Sequence, residues 1–140
     1  MDLAIELHDL VLTMDRQAAE VLRPLGVNLR QHVALTIIGE HPGLTGRQLA
    51  GGLRVTGAAA SGIVRGLVTD GLAEADAAPG SGNRQSLRLT PAGTELLGRT
   101  TGALGSSFDE VVRRSGHDPD RLAAALHDIH QQLLNDPKES

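Results

Sequence analysis

Residues 44–71 read LTGRQLAGGLRVTGAAASGIVRGLVTDG, and this stretch decides the fold. Thr45-Gly46-Arg47-Gln48 has the form of a capping box: a Thr hydroxyl at the N-cap and a Gln three residues on satisfy each other's orphan amides. It opens a short helix over about 46–52, which Gly51-Gly52 ends. Leu53-Arg54-Val55 is then a tight turn, and Thr56 is the next N-cap. A second helix runs to Asp70, with Ala60, Ile63, Val64, Leu67 and Val68 at helical spacing. Gly71 follows as the residue that closes it. Two short helices on a tight turn are a helix-turn-helix.

Beyond Gly71, Leu72-Ala73-Glu74-Ala75-Asp76 alternates apolar and polar, as does Ser86-Leu87-Arg88-Leu89-Thr90. A two-residue period marks a half-buried strand. Pro79-Gly80-Ser81-Gly82-Asn83 between them is a turn-rich tip, so the pair reads as a β-hairpin. Thr90-Pro91 is a cap followed by a first-turn proline. It opens a long helix expected to reach about Arg114, with Leu96, Leu97, Leu104, Phe108, Val111 and Val112 on its apolar side. Asp118-Pro119 repeats the signal, and Leu122, Leu126, Ile129 and Leu133 give the last helix the 3.5-residue seam of paired helices. Residues 135–140 read as a frayed tail.

Working toward the start, a helix over 29–40 is capped by Asn28, with Val33, Ile37 and Ile38 expected inside. His41-Pro42-Gly43 stops it. A helix over 3–23, capped by Asp2, carries Leu3, Leu7, Leu10, Val11, Met14, Ala18, Val21 and Leu22 at steps of three and four; Pro24 and Gly26 end it. The fold class is therefore mainly α with a small β-hairpin: a winged helix-turn-helix over 28–90 within a single domain of 1–140. The flanking segments 1–27 and 91–136 are read as dimerisation helices, because their apolar stripes find no partner within so small a domain. A two-fold dimer would set two recognition helices about one DNA turn apart, on a pseudo-palindromic operator in double-stranded DNA.

Composition narrows the function. The chain has 140 residues, no Cys and one aromatic residue, Phe108. Zero cysteine excludes a disulfide scaffold, a thiolate metal site and a thiol redox sensor. One aromatic leaves no stacking platform for single-stranded nucleic acid. The start is acidic and no apolar run is long enough for a signal peptide or a membrane span, so the expected location is the cytoplasm, with no membrane partner. The formal charge of −4 looks unsuited to a nucleic-acid binder. Divided by segment it looks different. Residues 43–90 hold Arg47, Arg54, Arg65, Arg84 and Arg88 against Asp70, Glu74 and Asp76, a charge of +2, and the rest of the chain carries −6. The reading lobe is basic and the acidity lies elsewhere.

From Leu25 to Leu97 the chain also resembles the MarR (multiple antibiotic resistance regulator) transcription factors. The resembling residues, in order, are Leu25-Gly26-Val27, Gln31, His41-Pro42-Gly43-Leu44-Thr45, Gln48-Leu49-Ala50, Leu53, Val55-Thr56, Gly71-Leu72 and Leu89-Thr90-Pro91-Ala92-Gly93. The resemblance implies a homodimeric, ligand-responsive DNA-binding regulator, a repressor by preference. It also implies a small-molecule effector pocket between the dimerisation region and the DNA-binding lobe, expected here around Arg16, His32, Leu35 and Phe108. Three departures stand out. The helix after Thr56 carries Gly57, Ala58, Ala59, Ala60 and Gly62 where similar proteins offer polar or basic groups. The wing has Asn83-Arg84 where an Asp-Arg element is usual. His32 stands where an aromatic residue is common.

The expected DNA contacts follow from position. Thr45, Arg47 and Gln48 lie on the first turn of the leading helix, within reach of backbone phosphates; Gln48 is equally well explained as a cap alone. Arg54 lies in the turn. Thr56, Gly57, Ala58, Ser61 and Arg65 lie on the recognition helix, where Ala58 and Ala59 can press on a thymine methyl or be plain helix formers, and Arg65 can meet a guanine edge or a phosphate. Asn83, Arg84 and Arg88 belong to the wing, and Arg84 at its tip suits a narrow minor groove. His127 and His130 lie three apart on one helical face but lack a third ligand, so no metal and no cofactor is expected. No catalytic motif is present, and no enzyme is expected. The alternative, prompted by the bland recognition helix, is a dimeric ligand-binding or protein-interaction module on the same fold with weak or lost DNA binding.

Overall fold

The computed structural model describes residues 1–77, 85–105 and 107–136. It divides into two units, Met1–Leu104 and Gly105–Ser140. The first holds α1 (Leu3–Leu22), a 3₁₀ turn over Arg23–Leu25, α2 (Leu29–Glu40), α3 (Gly46–Leu53), α4 (Gly57–Thr69), the strands β1 (Ala73–Ala77) and β2 (Gln85–Leu89), and α5 (Pro91–Leu104). The second holds α6 (Ser107–Arg114) and α7 (Pro119–Asn135).

The caps are those the sequence announces. Asp2 accepts from the Ile5 amide at 3.1 Å, Thr45 from Gln48 at 3.1 Å and Thr56 from Ala59 at 3.1 Å. The Gln48 side chain returns a bond to the Thr45 amide at 2.9 Å, completing the box. Asn28 and Gln31 build a second capping box at the start of α2. Each such cap is worth about 1 kcal/mol to its helix.

The core of the first unit is aliphatic. Ala34, Leu35 and Ile38 of α2 meet Leu49 of α3, Val64 and Leu67 of α4, Ala73 of β1, and Leu44 and Leu87. Val33, expected inside, is 36% exposed, and Ala34 and Leu35 take the interior positions. The face of α2 is rotated by about one residue because α3, α4 and β2 all pack against it.

β1 and β2 pair antiparallel with Ala73 opposite Leu89, Glu74 opposite Arg88 and Ala75 opposite Leu87. Leu44 adds a single bridge on the other edge of β2: Gly43 N–H donates to the Leu87 carbonyl at 2.8 Å, and Leu87 N–H donates to that of Leu44 at 2.9 Å. The wing is thereby tied to the entrance of α3. Its other end is tied to α5 through Thr90, whose amide donates to the Leu72 carbonyl at 3.1 Å and whose hydroxyl donates to that of Gly71 at 2.6 Å. The same hydroxyl oxygen accepts from the Gly93 amide at 3.0 Å.

The expected helix from Pro91 to Arg114 is interrupted. Gly105 adopts φ +57°, the left-handed conformation that ends helices, and α5 stops at Leu104. Gly98 and Gly102 in its last turns already weaken it by about 1 kcal/mol each relative to Ala. In the second unit Gly116, at φ +87°, closes α6 in the same way, and Asp118 caps α7. No residue of α6 or α7 is buried.

Candidate nucleic-acid interface

α3 and α4 form the helix-turn-helix. The two are locked by the buried Leu49, Ala50, Ala60 and Val64, leaving the opposite faces in solvent. On α4 those exposed positions include Gly57, Ala58, Ser61, Gly62 and Arg65. A Cβ added at Gly57, Gly62 or Gly66 would meet nothing within 4 Å. No acidic residue occupies the first turn of α3 or of α4, so the positive ends of both helix dipoles are unopposed.

The site residues are brought together in part. Ser61 and Arg65 of α4, Gly46 at the start of α3 and Gln85 at the start of β2 line one cleft of about 350 Å³. Arg47 and Gln48 are exposed on the first turn of α3. The Gln48 carbonyl oxygen is committed to the Thr45 amide, which leaves its NH2 group as the free donor. The Thr45 and Thr56 hydroxyl oxygens accept cap bonds; each retains its hydrogen for an outside acceptor. Arg88 is exposed on β2 opposite Glu74, a pairing that offsets part of its charge. Among the described residues the one ion pair is Arg121 with Asp118, so the guanidinium groups of Arg47, Arg54, Arg65 and Arg88 pair with no described carboxylate. Asn83 and Arg84 lie outside the described residues.

The expected effector residues occupy different settings. Leu35 is fully buried in the core and has no surface to offer a ligand. Arg16 is exposed on α1, and Phe108 belongs to the second unit, where it is 40% exposed. His32 is engaged within the fold: its Nδ1 lies 2.8 Å from Oγ1 of Thr100, a fully buried residue of α5. The Thr100 hydroxyl donates to the Leu97 carbonyl at 3.1 Å, an arrangement in which Nδ1–H donates to Oγ1. Burial pushes the His32 pKa down from its ordinary value.

A groove of about 580 Å³ lies instead between α2, β2 and α5, lined among others by Thr36, Gly39, Glu40, Arg88, Leu97 and Thr101. Its floor is tight, since a Cβ on Gly39 would stand 3.0 Å from Leu97 Cδ2 and 3.1 Å from Leu89 Cδ1. Sequence reasoning missed this set because its members are far apart in the chain and no local spacing joins them. No group of three or more His, Cys, Asp or Glu suited to a metal is found among the described residues.

The MarR family model matches residues 25–82. No curated protein sequence matches the chain. Solved structures resemble it along nearly its full length. CouR, a transcriptional repressor bound to a 23-mer DNA duplex, is 20% identical with a TM-score of 0.84, over 92% of each chain. A cysteine-to-serine variant of E. coli MarR complexed with operator DNA is 22% identical with a TM-score of 0.80, over 94% of this chain and 93% of that one. A Mycobacterium tuberculosis MarR family protein in complex with salicylic acid is 23% identical with a TM-score of 0.67, over 94% and 96%. The family match falls on α2, the helix-turn-helix and β1, and the winged-helix fold that the chain shares with these MarR structures extends through the flanking helices.

Proposed function

We propose that this chain is a homodimeric, sequence-specific DNA-binding transcriptional regulator, a repressor, whose DNA affinity a small-molecule ligand modulates. The observation that carries the reading is the exposed, acid-free face shared by α3 and α4, with Arg47, Arg54 and Arg65 on it and the Arg88 wing beside it. α4 is the element that enters a major groove about 12 Å wide, with the hairpin at the adjacent backbone. DNA-bound relatives of the same fold support this.

Dimerisation is supported by what the terminal helices fail to bury. α1 leaves Leu3, Ile5, Leu10, Val11 and Leu12 exposed, and α7 leaves Leu122, Leu126, Ile129 and Leu133 exposed. Helices this apolar and this bare need a partner, and a second copy supplies it. For the effector, the groove beside Arg88 has the volume of a small-molecule site, with Arg88 as its one cationic handle and Glu40 as its one carboxylate. A relative that holds salicylic acid supports an anionic ligand. Among the described residues no helix is long and apolar enough to cross a membrane, in keeping with action on DNA in the cytoplasm.

The test is a fluorescence-anisotropy titration of the protein on duplex DNA from upstream of its own gene, at two salt concentrations. Nanomolar binding with a steep salt slope is expected. Binding only at the micromolar level of random DNA defeats the reading. That outcome would favour a ligand-binding or interaction module on the same fold, the reading for which the Gly- and Ala-rich face of α4 is the specific observation.

A further inference from the structure

Six residues in the described chain have positive φ, and five of them are glycine: Gly26, Gly43, Gly71, Gly105 and Gly116. The sixth is Arg54, at φ 57° and ψ 45°. Glycine adopts this left-handed conformation freely, whereas a side chain crowds the following carbonyl. The chain holds 17 glycines and places two of them, Gly51 and Gly52, immediately before this turn in ordinary helical conformation. The one turn residue that gains most from being glycine is instead a long, cationic one.

The fold does not explain the exception. Arg54 is exposed, and its guanidinium has no hydrogen bond or ion pair with any described residue. Its backbone does the structural work: the Arg54 amide reaches the Ala50 and Gly51 carbonyls, and the Val55 amide donates to that of Ala50 at 3.1 Å. A glycine would make every one of these bonds without strain. An exposed, unpartnered side chain held at an energetic disadvantage is kept for something outside the chain. Arg54 stands two residues before Thr56, the N-cap of α4, at the junction of the two helices of the reading lobe.

We propose that Arg54 is a DNA-backbone anchor. Its strained left-handed turn presents a guanidinium to a phosphate beside the groove that α4 enters, and DNA affinity is gained there at the expense of fold stability. The inference rests on the DNA-binding reading above and deepens it. A guanidinium binds phosphate through paired, charge-assisted hydrogen bonds, and a phosphate contact fixes register without reading sequence.

The experiment compares the full-length protein with Arg54→Gly and Arg54→Lys. Thermal melts are recorded without DNA. Anisotropy titrations over a salt series then use two duplexes, the upstream region of its own gene and a random sequence of equal length. Arg54→Gly is expected to melt a few degrees higher, about 3–5 °C, since relief of roughly a kilocalorie of strain moves a domain of this size by that much. It should bind both duplexes about tenfold more weakly, with a salt slope reduced by about 0.9 for each Arg54 copy engaged. Arg54→Lys keeps the charge and the strain, so its melting point and slope should stay near those of the parent.

An unchanged slope and affinity in Arg54→Gly overturn the proposal. So does a loss confined to the upstream duplex, which would make Arg54 a base reader. A melting point that does not rise removes the trade-off. If the parent protein itself binds neither duplex, the regulator reading fails and the anchor falls with it; the melts, which need no DNA, still report the strain separately.

Discussion

Gly93 offers the sharpest test of how this fold is held together. It lies in the first turn of α5, where the helix backbone passes directly over Leu72, in the short link between α4 and β1. A methyl group built on its Cα falls onto the Leu72 carbonyl, overlapping the oxygen and standing 2.9 Å from the carbonyl carbon and 3.3 Å from Leu72 Cα. Carbon atoms at contact need about 3.5–4.0 Å, so α5 must withdraw by about 1 Å or deform. The same Leu72 carbonyl accepts the Thr90 amide at 3.1 Å, and the Thr90 hydroxyl oxygen accepts the Gly93 amide at 3.0 Å. Any withdrawal stretches both bonds. Overpacking of a tight site costs about 1–3 kcal/mol, and one lost internal hydrogen bond adds about 1 kcal/mol. Gly93→Ala is therefore expected to destabilise the protein by about 2–4 kcal/mol, a fall in Tm of about 10 °C. Gly98→Ala, one and a half turns along the same helix, is the control. Its added Cβ meets nothing within 4 Å, and the helix gains about 1 kcal/mol of propensity. Urea unfolding followed by far-UV circular dichroism at one fixed protein concentration measures both. Shifts of the same sign and similar size would refute the close approach as the reason for Gly93.

Other outcomes follow from the same reasoning. Gly62→Ala and Gly66→Ala fill open space on α4 and should each stabilise the fold by about 1 kcal/mol in chemical denaturation, while a helix pressed against DNA would bind it more weakly in the same anisotropy assay. Leu126→Glu with Ile129→Glu places two charges on the bare face of α7, and sedimentation should then report a monomer where the parent sediments as a dimer. Thr100→Val deletes the buried partner of His32 Nδ1 and should cost about 1–2 kcal/mol by urea unfolding. His32 also gives a pH signature. Burial depresses its folded-state pKa, so the unfolded chain takes up the proton more readily. Its contribution is fully present above the ordinary histidine pKa near 6.5 and is lost as pH falls through the lower folded value. His32→Gln should flatten that part of the stability–pH curve, and an unchanged curve would assign it to other groups.

Much of this architecture was legible in the chain itself. The caps at Asp2, Asn28, Thr45, Thr56 and Asp118 all appear where the sequence places them, because a cap is a contract between residues two or three positions apart. The two strands fall within a residue of their alternating patterns. The helix-turn-helix order, and the basic lobe within an acidic chain, needed only spacing and charge. Predictions that depended on distant partners fared differently. Val33 was misplaced by one position, since α2 turns the face that α3, α4 and β2 select. Leu35 is core rather than ligand wall for the same reason. The helix expected to span Pro91 to Arg114 stops at Gly105, where a glycine that is tolerable in a helix was used to leave it.

What the sequence alone determined, then, is the set of elements, their order, and the sign of charge on the helix-turn-helix lobe, all of which are written in short-range periodicity, capping and charge spacing. What only the tertiary structure decided is which small residues are obligatory and which polar ones are spoken for. Gly93 is required by the Leu72 carbonyl and Gly62 by nothing within 4 Å among the described residues. His32 is held by Thr100, 68 positions away. Among the described residues Arg54 alone has positive φ without being glycine. Each of these facts depends on which atoms the folded chain brings within a few ångströms, or on a backbone angle that spacing does not reveal.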